Sequence, residues 1–189
     1  MITQSAQAKF EQYPVIAAVR TPEDFHCALE SKVAVVFMVG GDVFKVRDEI
    51  ARVKASNRLI FFHMDLVEGI GKDGSGIHFA KEEFGIDGIQ STKAHLLKLA
   101  KHENLMTCHR IFLMDFQALE SGMHMLKQSQ PDFVELTPGI VPRIVRKVNL
   151  EFKQPVISSG LVSREKDIKV LQEAGAHNIV CSNRKLWSL

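Results

Sequence analysis

Short apolar runs recur along the chain, each followed by a stretch in which apolar residues return at helical spacing among polar ones. The runs fall at about 15–19 (VIAAV), 33–39 (VAVVFMV), 59–64 (LIFFHM), 87–90 (DGIQ), 105–109 (LMTCH), 133–136 (FVEL), 155–158 (PVIS) and 178–181 (NIVC). Most are continuous rather than alternating, which is the pattern of strands buried on both faces. Their starts lie 18 to 28 residues apart. That leaves room for one crossover helix between each pair, as parallel neighbours require.

The intervening stretches carry helix signals. Thr21-Pro22-Glu23-Asp24 supplies an N-cap, a proline at the first helical position and acids in the first turn. Ser91-Thr92 precedes Lys93–His102, where Leu96, Leu97, Leu99 and Ala100 make one apolar stripe. The run from Ser163 to Asp167 opens a helix to Ala174, and Gly175 closes it. Eight strands, seven intervening helices and a vestigial last helix at Arg184–Leu189 predict a small α/β fold, a (β/α)8 barrel with short loops. An open doubly wound sheet is the rival, and the strand count favours the barrel. With no linker, low-complexity run or shift in composition, residues 1–189 read as one domain.

Composition narrows the partners. With 46% hydrophobic and 24% charged residues the chain is a folded domain rather than a disordered one. Lys and Arg number 24 against 22 Asp and Glu, so nucleic-acid binding would need a local patch, not a whole-protein basic field. Two clusters offer one: Lys45, Arg47, Arg52, Lys54 and Arg58, diluted by Asp48 and Glu49, and Arg143, Arg146, Lys147 and Lys153, accompanied only by Glu151. A solvated helix face accounts for either on composition alone. Cys27, Cys108 and Cys181 fit neither a CxxC metal spacing nor a disulfide framework, which points to a reducing compartment. The N-terminus has no signal-peptide core, and Val33–Val39 is far short of the ~20 residues that span a bilayer. The expectation is a cytoplasmic protein without a membrane partner.

Barrels work at the C-terminal ends of their strands, and there this chain is polar. Arg20 follows the first strand, Gly40-Gly41-Asp42 the second, and His63, Asp65 and Glu68 the third. Lys93 follows the fourth strand, His109 and Arg110 the fifth, Glu135 and Gly139 the sixth, Ser159-Gly160-Leu161 the seventh, and Ser182-Asn183 the eighth. Loops after strands 7 and 8 commonly cradle phosphate through backbone N–H groups. Gly160 permits close approach of an anion, and Ser159, Ser182 and Asn183 add donors. Lys93, Arg20 and Arg110 would add positive charge, while Asp65, Glu68 and Glu135 would accept from hydroxyls. As an enzyme, the same mouth would use Lys93 as a Schiff-base lysine and His63 or His109 as a proton shuttle, the outline of a phosphosugar isomerase, epimerase or aldolase. His63 and Asp65 share a strand face, yet two ligands make no metal site. Gly69-Ile70-Gly71-Lys72-Asp73-Gly74 matches GxGxxG but lacks the context of a dinucleotide site.

Linked motifs then point to a family. They are Pro14 to Asp24 (PVIAAVRTPED), His63 to Gly69 (HMDLVEG), Asp87 to Lys93 (DGIQSTK) and His109 to Asp115 (HRIFLMD). Pro131 to Gly139 (PDFVELTPG), Pro155 to Leu161 (PVISSGL) and the closing Leu186-Trp187 complete the set. Together they resemble the glycerol uptake operon antiterminator regulatory protein (GlpP) family over nearly the whole chain. The resemblance implies a small barrel that senses glycerol 3-phosphate, binds the leader mRNA of a glycerol-utilisation operon to prevent premature termination, and carries no catalytic residue or cofactor. By motif its mouth residues fall on Arg20, Asp65, Glu68, Lys93, Arg110, Glu135 and Gly139, with the phosphate loop on Ser159-Gly160-Leu161. A Gly-Gly-Leu pattern is expected after strand 7 and a Ser-Thr-Ser run after strand 8. This chain has Ser159-Gly160-Leu161 and Cys181-Ser182-Asn183 instead, side chains expected either to narrow the phosphate pocket or to shift its ligand preference. Self-association into a homo-oligomer stays open.

Overall fold

The computed structural model describes residues 3–189. Eight parallel strands close into a barrel: β1 (Val15–Val19), β2 (Val35–Met38), β3 (Leu59–His63), β4 (Gly88–Ser91), β5 (Met106–Phe112), β6 (Phe133–Thr137), β7 (Val156–Ser159) and β8 (Ala176–Cys181). Each strand pairs with its neighbours in chain order, and β8 returns to β1 with Val15 opposite Ile179. The helices are α1 (Gln4–Gln12), α2 (Pro22–Leu29), α3 (Arg47–Ala55), α4 (Gly74–Phe84), α5 (Ala94–His102), α6 (Phe116–Ser129), α7 (Pro142–Glu151) and α8 (Glu165–Glu173). A 3-10 turn at Arg184–Ser188 stands where a final helix would follow β8. Residues 41–42 and 67–68 form a short parallel pair on the rim. The architecture is the expected (β/α)8 barrel.

Local chemistry explains the element starts. Thr21 caps α2 in a capping box with Asp24, Asp73 caps α4 by accepting from the Gly76 amide, and Asp115 caps α6 by accepting from Ala118. Two departures stand out. The fifth strand runs on to Phe112, past the expected end at 109, because its ladder with β6 continues to Thr137. Helix α1, absent from the sequence expectation, precedes β1 and closes the barrel floor.

Alternation along the strands divides the apolar residues into two sets. One packs between sheet and helices. The other fills the barrel in layers drawn from alternate strands. Following the pairing register upward, Val35, Gly88, Phe133 and Asn178 form the lowest layer, then Ile16, Phe61, Cys108 and Ile157. Above them lie Phe37, Gln90, Glu135 and Val180, then Ala18, His63, Arg110 and Ser159. Phe10 of α1 plugs the bottom, stacked on Phe133 at 4.2 Å between centroids and edge-on to Phe61 at 5.9 Å. Asn178 Nδ2 ties the plug down by donating to the carbonyls of Phe10 and Tyr13. A Cβ at Gly88 would lie 2.3 Å from the Phe61 ring, so this strand position must be glycine for the lower core to pack. The interior is thus apolar at the floor and polar towards the mouth.

Candidate ligand pocket at the barrel mouth

A pocket of about 110 Å³ opens on the C-terminal face, lined by Ala18, Arg20, Val39, Arg110, Ser159–Val162 and Val180–Ser182. Gly160 and Leu161 both take left-handed backbone, with φ of 76° and 60°. A Cβ at Gly160 would stand 2.8 Å from Thr137 Oγ1, so the turn needs glycine on two counts. The amides of Gly160, Leu161 and Ser182 donate to no backbone carbonyl among the described residues. Successive free amides of this kind attract anions.

Arg110 projects up from β5 and donates through Nε and Nη2 to Glu135 Oε1 at 3.2 and 2.9 Å. Glu135 is fully buried, and Arg110 is its counter-charge while still facing the pocket. Breaking such a pair would leave a buried carboxylate uncompensated. Arg20 reaches the pocket from β1 with its stem along Gly40, and the Arg20 carbonyl would meet a Cβ at Gly41 at 2.4 Å.

The two departures from the family pattern occupy different places. Ser159 faces inward and donates its hydroxyl to the Leu136 carbonyl at 3.3 Å, so it lies along the pocket wall. Asn183 points away from the pocket: Nδ2 donates to the Ser163 carbonyl at 2.9 Å, and Oδ1 accepts from the Lys185 amide. It staples the loop after β8 to the loop after β7. Gly139 seats the loop after β6 against β7, its amide donating to the Ser159 carbonyl where a Cβ would strike Leu136 and Ser158.

Across the mouth a second group gathers around Asp65. Its carboxylate accepts from Ser91 Oγ, Thr92 Oγ1 and the Thr92 amide, the last at 2.7 Å. Lys93 Nζ lies 3.9 Å and His63 Nδ1 3.7 Å from it. Asp65 therefore binds the loop after β3 to the loop that starts α5. Lys93 stands half-exposed on the rim, and Glu68 is exposed in the 67–68 strand pair. Lys72, which the sequence reading passed over inside the GxGxxG-like loop, donates to the Val67 carbonyl, and burial lowers its pKa. His109 faces outward from the barrel, its Nδ1 2.7 Å from Ser129 Oγ of α6 and Nε2 3.3 Å from the Thr92 carbonyl. It does not line the pocket, and its ring packs instead between α6 and the Thr92 backbone beside Lys93. No group of three or more His, Cys, Asp or Glu able to hold a metal occurs among the described residues. Burial raises the Cys108 thiol well above its usual range.

The two basic clusters differ once folded. In the first, Lys54 pairs with Asp87 at 2.6 Å, Arg47 with Glu83, and Lys45 lies 3.9 Å from Asp42. Arg58 donates to the carbonyls of Leu29, Ser31 and Val33. In the second, Arg143, Arg146 and Lys147 form an exposed stripe along α7 that ends on exposed Leu150, and Lys127 holds the neighbouring Glu151 at 3.2 Å. Arg143 lies over the ring of Phe116, at 5.7 Å.

These features define a (β/α)8 barrel whose unspent donors converge at the C-terminal face. The sequence profile of the family described as glycerol-3-phosphate responsive antiterminator matches residues 15–187, and the chain belongs to that family. YgcP of Escherichia coli (strain K12) is 32% identical over 178 residues, spanning 94% of this chain and 93% of its own. The crystal structure of a glycerol uptake operon antiterminator regulatory protein from Listeria monocytogenes superposes with a TM-score of 0.88 at 29% identity, covering 94% and 96% of the two chains. An antiterminator-related protein from Thermotoga maritima gives 0.79, also at 29% identity, over 92% and 96%. N-acetylmannosamine-6-phosphate 2-epimerase from Clostridium perfringens shares the fold alone, with a TM-score of 0.71 at 12% identity.

Proposed function

We propose that this protein is a transcription antitermination regulator whose effector is glycerol 3-phosphate and whose target is a leader mRNA. The observation that carries this reading is the pocket itself. Two arginines, together with Gly160, Leu161 and Ser182 whose amides bond no backbone carbonyl among the described residues, line one small cavity, the recognition chemistry of a phosphate ester, in a chain of the antiterminator family. The RNA would lie on the α7 stripe, which starts beside the mouth, with its backbone on Arg143, Arg146 and Lys147 and with Lys153 close to the helix end. Ligand and RNA are then thermodynamically linked: a coupling of roughly 1–3 kcal/mol suffices to switch the complex, and each ligand tightens the other by the same factor. A gel shift of the leader RNA with and without glycerol 3-phosphate tests this. The expected result is roughly a 5- to 150-fold gain in RNA affinity at saturating effector, and no change would overturn it.

A second reading rests on the convergence of Lys93 and His63 on Asp65. In a phosphosugar-metabolising barrel Lys93 would form a Schiff base with a carbonyl phosphate. Glycerol 3-phosphate has no carbonyl, so borohydride trapping with dihydroxyacetone phosphate separates the two. A covalent adduct on Lys93 favours the enzyme, and its absence together with a gel shift favours the regulator.

A further inference from the structure

The polar upper half of the barrel interior holds two side chains that make no hydrogen bond among the described residues, although His63 Nδ1 stands 3.7 Å from the Asp65 carboxylate. His63 and Gln90 are 1% and 0% exposed, and neither ring nitrogen of His63 nor either amide atom of Gln90 has a hydrogen-bond partner in the described residues. Buried polar groups are ordinarily paired, because an unmade hydrogen bond in the interior is costly. The carboxylates nearby are engaged: Asp65 by Ser91 and Thr92, and Glu135 by Arg110.

Their position is specific. His63 belongs to the same barrel layer as Ala18, Arg110 and Ser159, and those three line the pocket. Gln90 is the register partner of His63 on β4 and projects inward one layer below. His63 and Arg110 stand on strands separated only by β4, so both project into the same side of the barrel interior. Burial keeps the His63 imidazole neutral near pH 7, with one nitrogen a donor and the other an acceptor. The carboxamide of Gln90 also offers both.

We propose that His63 and Gln90, in the barrel interior next to the anion pocket but outside its present lining, form a hydroxyl-recognition subsite that reads the polyol end of a phosphate ester whose phosphate lies on the loops after β7 and β8. This assignment rests on the phosphate-ester reading above and goes further, because it shifts hydroxyl recognition from the carboxylates to two neutral side chains. Neutral groups suit this role, since each hydroxyl both donates and accepts, and a free carboxylate beside a phosphate dianion would repel it. A site built to bind hydroxyls strongly rejects an analogue that lacks them.

Calorimetric titration of the full chain with glycerol 3-phosphate, n-propyl phosphate and inorganic phosphate tests it. Propyl phosphate has the same charge and carbon count without the two hydroxyls. The wild type should bind glycerol 3-phosphate at least about 10-fold more tightly than propyl phosphate. In Gln90→Met and His63→Leu that preference should fall by about 10-fold each, with propyl phosphate affinity unchanged. Gln90→Met should also melt at or above the wild-type temperature, since it replaces an unpaired buried amide with an apolar side chain of similar shape. Equal wild-type affinity for the two esters overturns the subsite, and so does an equal loss of both in the variants. A lowered melting temperature in Gln90→Met would assign Gln90 a structural role instead. Should wild type bind none of the three, inorganic phosphate included, the phosphate-ester reading itself falls and takes the subsite with it.

Discussion

His63 shows how one side chain can set a condition on the whole fold. Burial, reinforced by Arg110, lowers its pKa to about 4, against about 6.5 in an unfolded chain. Between those values the unfolded chain binds a proton that the folded chain refuses, so stability falls as pH drops from about 6.5 towards 4 and is unaffected above that window. By pH 5 the loss is about 2 kcal/mol. Urea melts at pH 7 and pH 5 should show it, and His63→Leu should shrink the difference, the remainder coming partly from His109, whose pKa burial also lowers. The candidate residues were unequally legible in the sequence. Arg20, Arg110 and Ser159-Gly160-Leu161 were visible because strand ends and a glycine turn announce themselves. What Asp65, Glu135 and Asn183 do was not visible, since the same residue type can meet a ligand or tie two loops together and only the fold shows which donors reach it. Gln90 gave no signal at all, because its meaning comes from the barrel layer it occupies.

Among the elements, the strands were readable because burial on both faces enriches them in continuous apolar residues, even where a run as short as 87–90 marks only four positions. Helix α1 was not: only Ala6 and Phe10 of its nine residues are buried, and a single aromatic makes no periodic stripe. Phe10 nevertheless closes the barrel against Phe61 and Phe133. Phe10→Ala should lower unfolding free energy by about 3–5 kcal/mol, measured by urea denaturation. Helix α7 makes a different prediction. The triple substitution Arg143→Ala, Arg146→Ala and Lys147→Ala should weaken leader RNA binding and reduce the slope of log affinity against log salt by about 2, at ~0.7 for each phosphate no longer neutralised. Glycerol 3-phosphate affinity, titrated on the same variant without RNA, should stay unchanged because none of the three lines the pocket.

At the scale of the molecule, the near-balance of charge means that any polyanion must be met locally, and the fold leaves the α7 stripe exposed while engaging Arg47, Lys54 and Arg58 of the other cluster. The two halves of the mouth are also separately braced, one by Asp65 across the loops after β3 and β4, the other by Asn183 across the loops after β7 and β8. Between them the layered interior turns from apolar at the α1 plug to polar beneath the pocket. That gradient along the axis has a genetic consequence. In a saturation screen scored for both protein abundance and effector response, substitutions at Phe61, Phe133 or Ile157 should deplete the protein itself. Conservative replacements at His63, Gln90 or Ser159 should leave its level intact and silence only the response. Axial height in the barrel would then sort the two classes of loss, and a screen in which they mix at every level would refute the division.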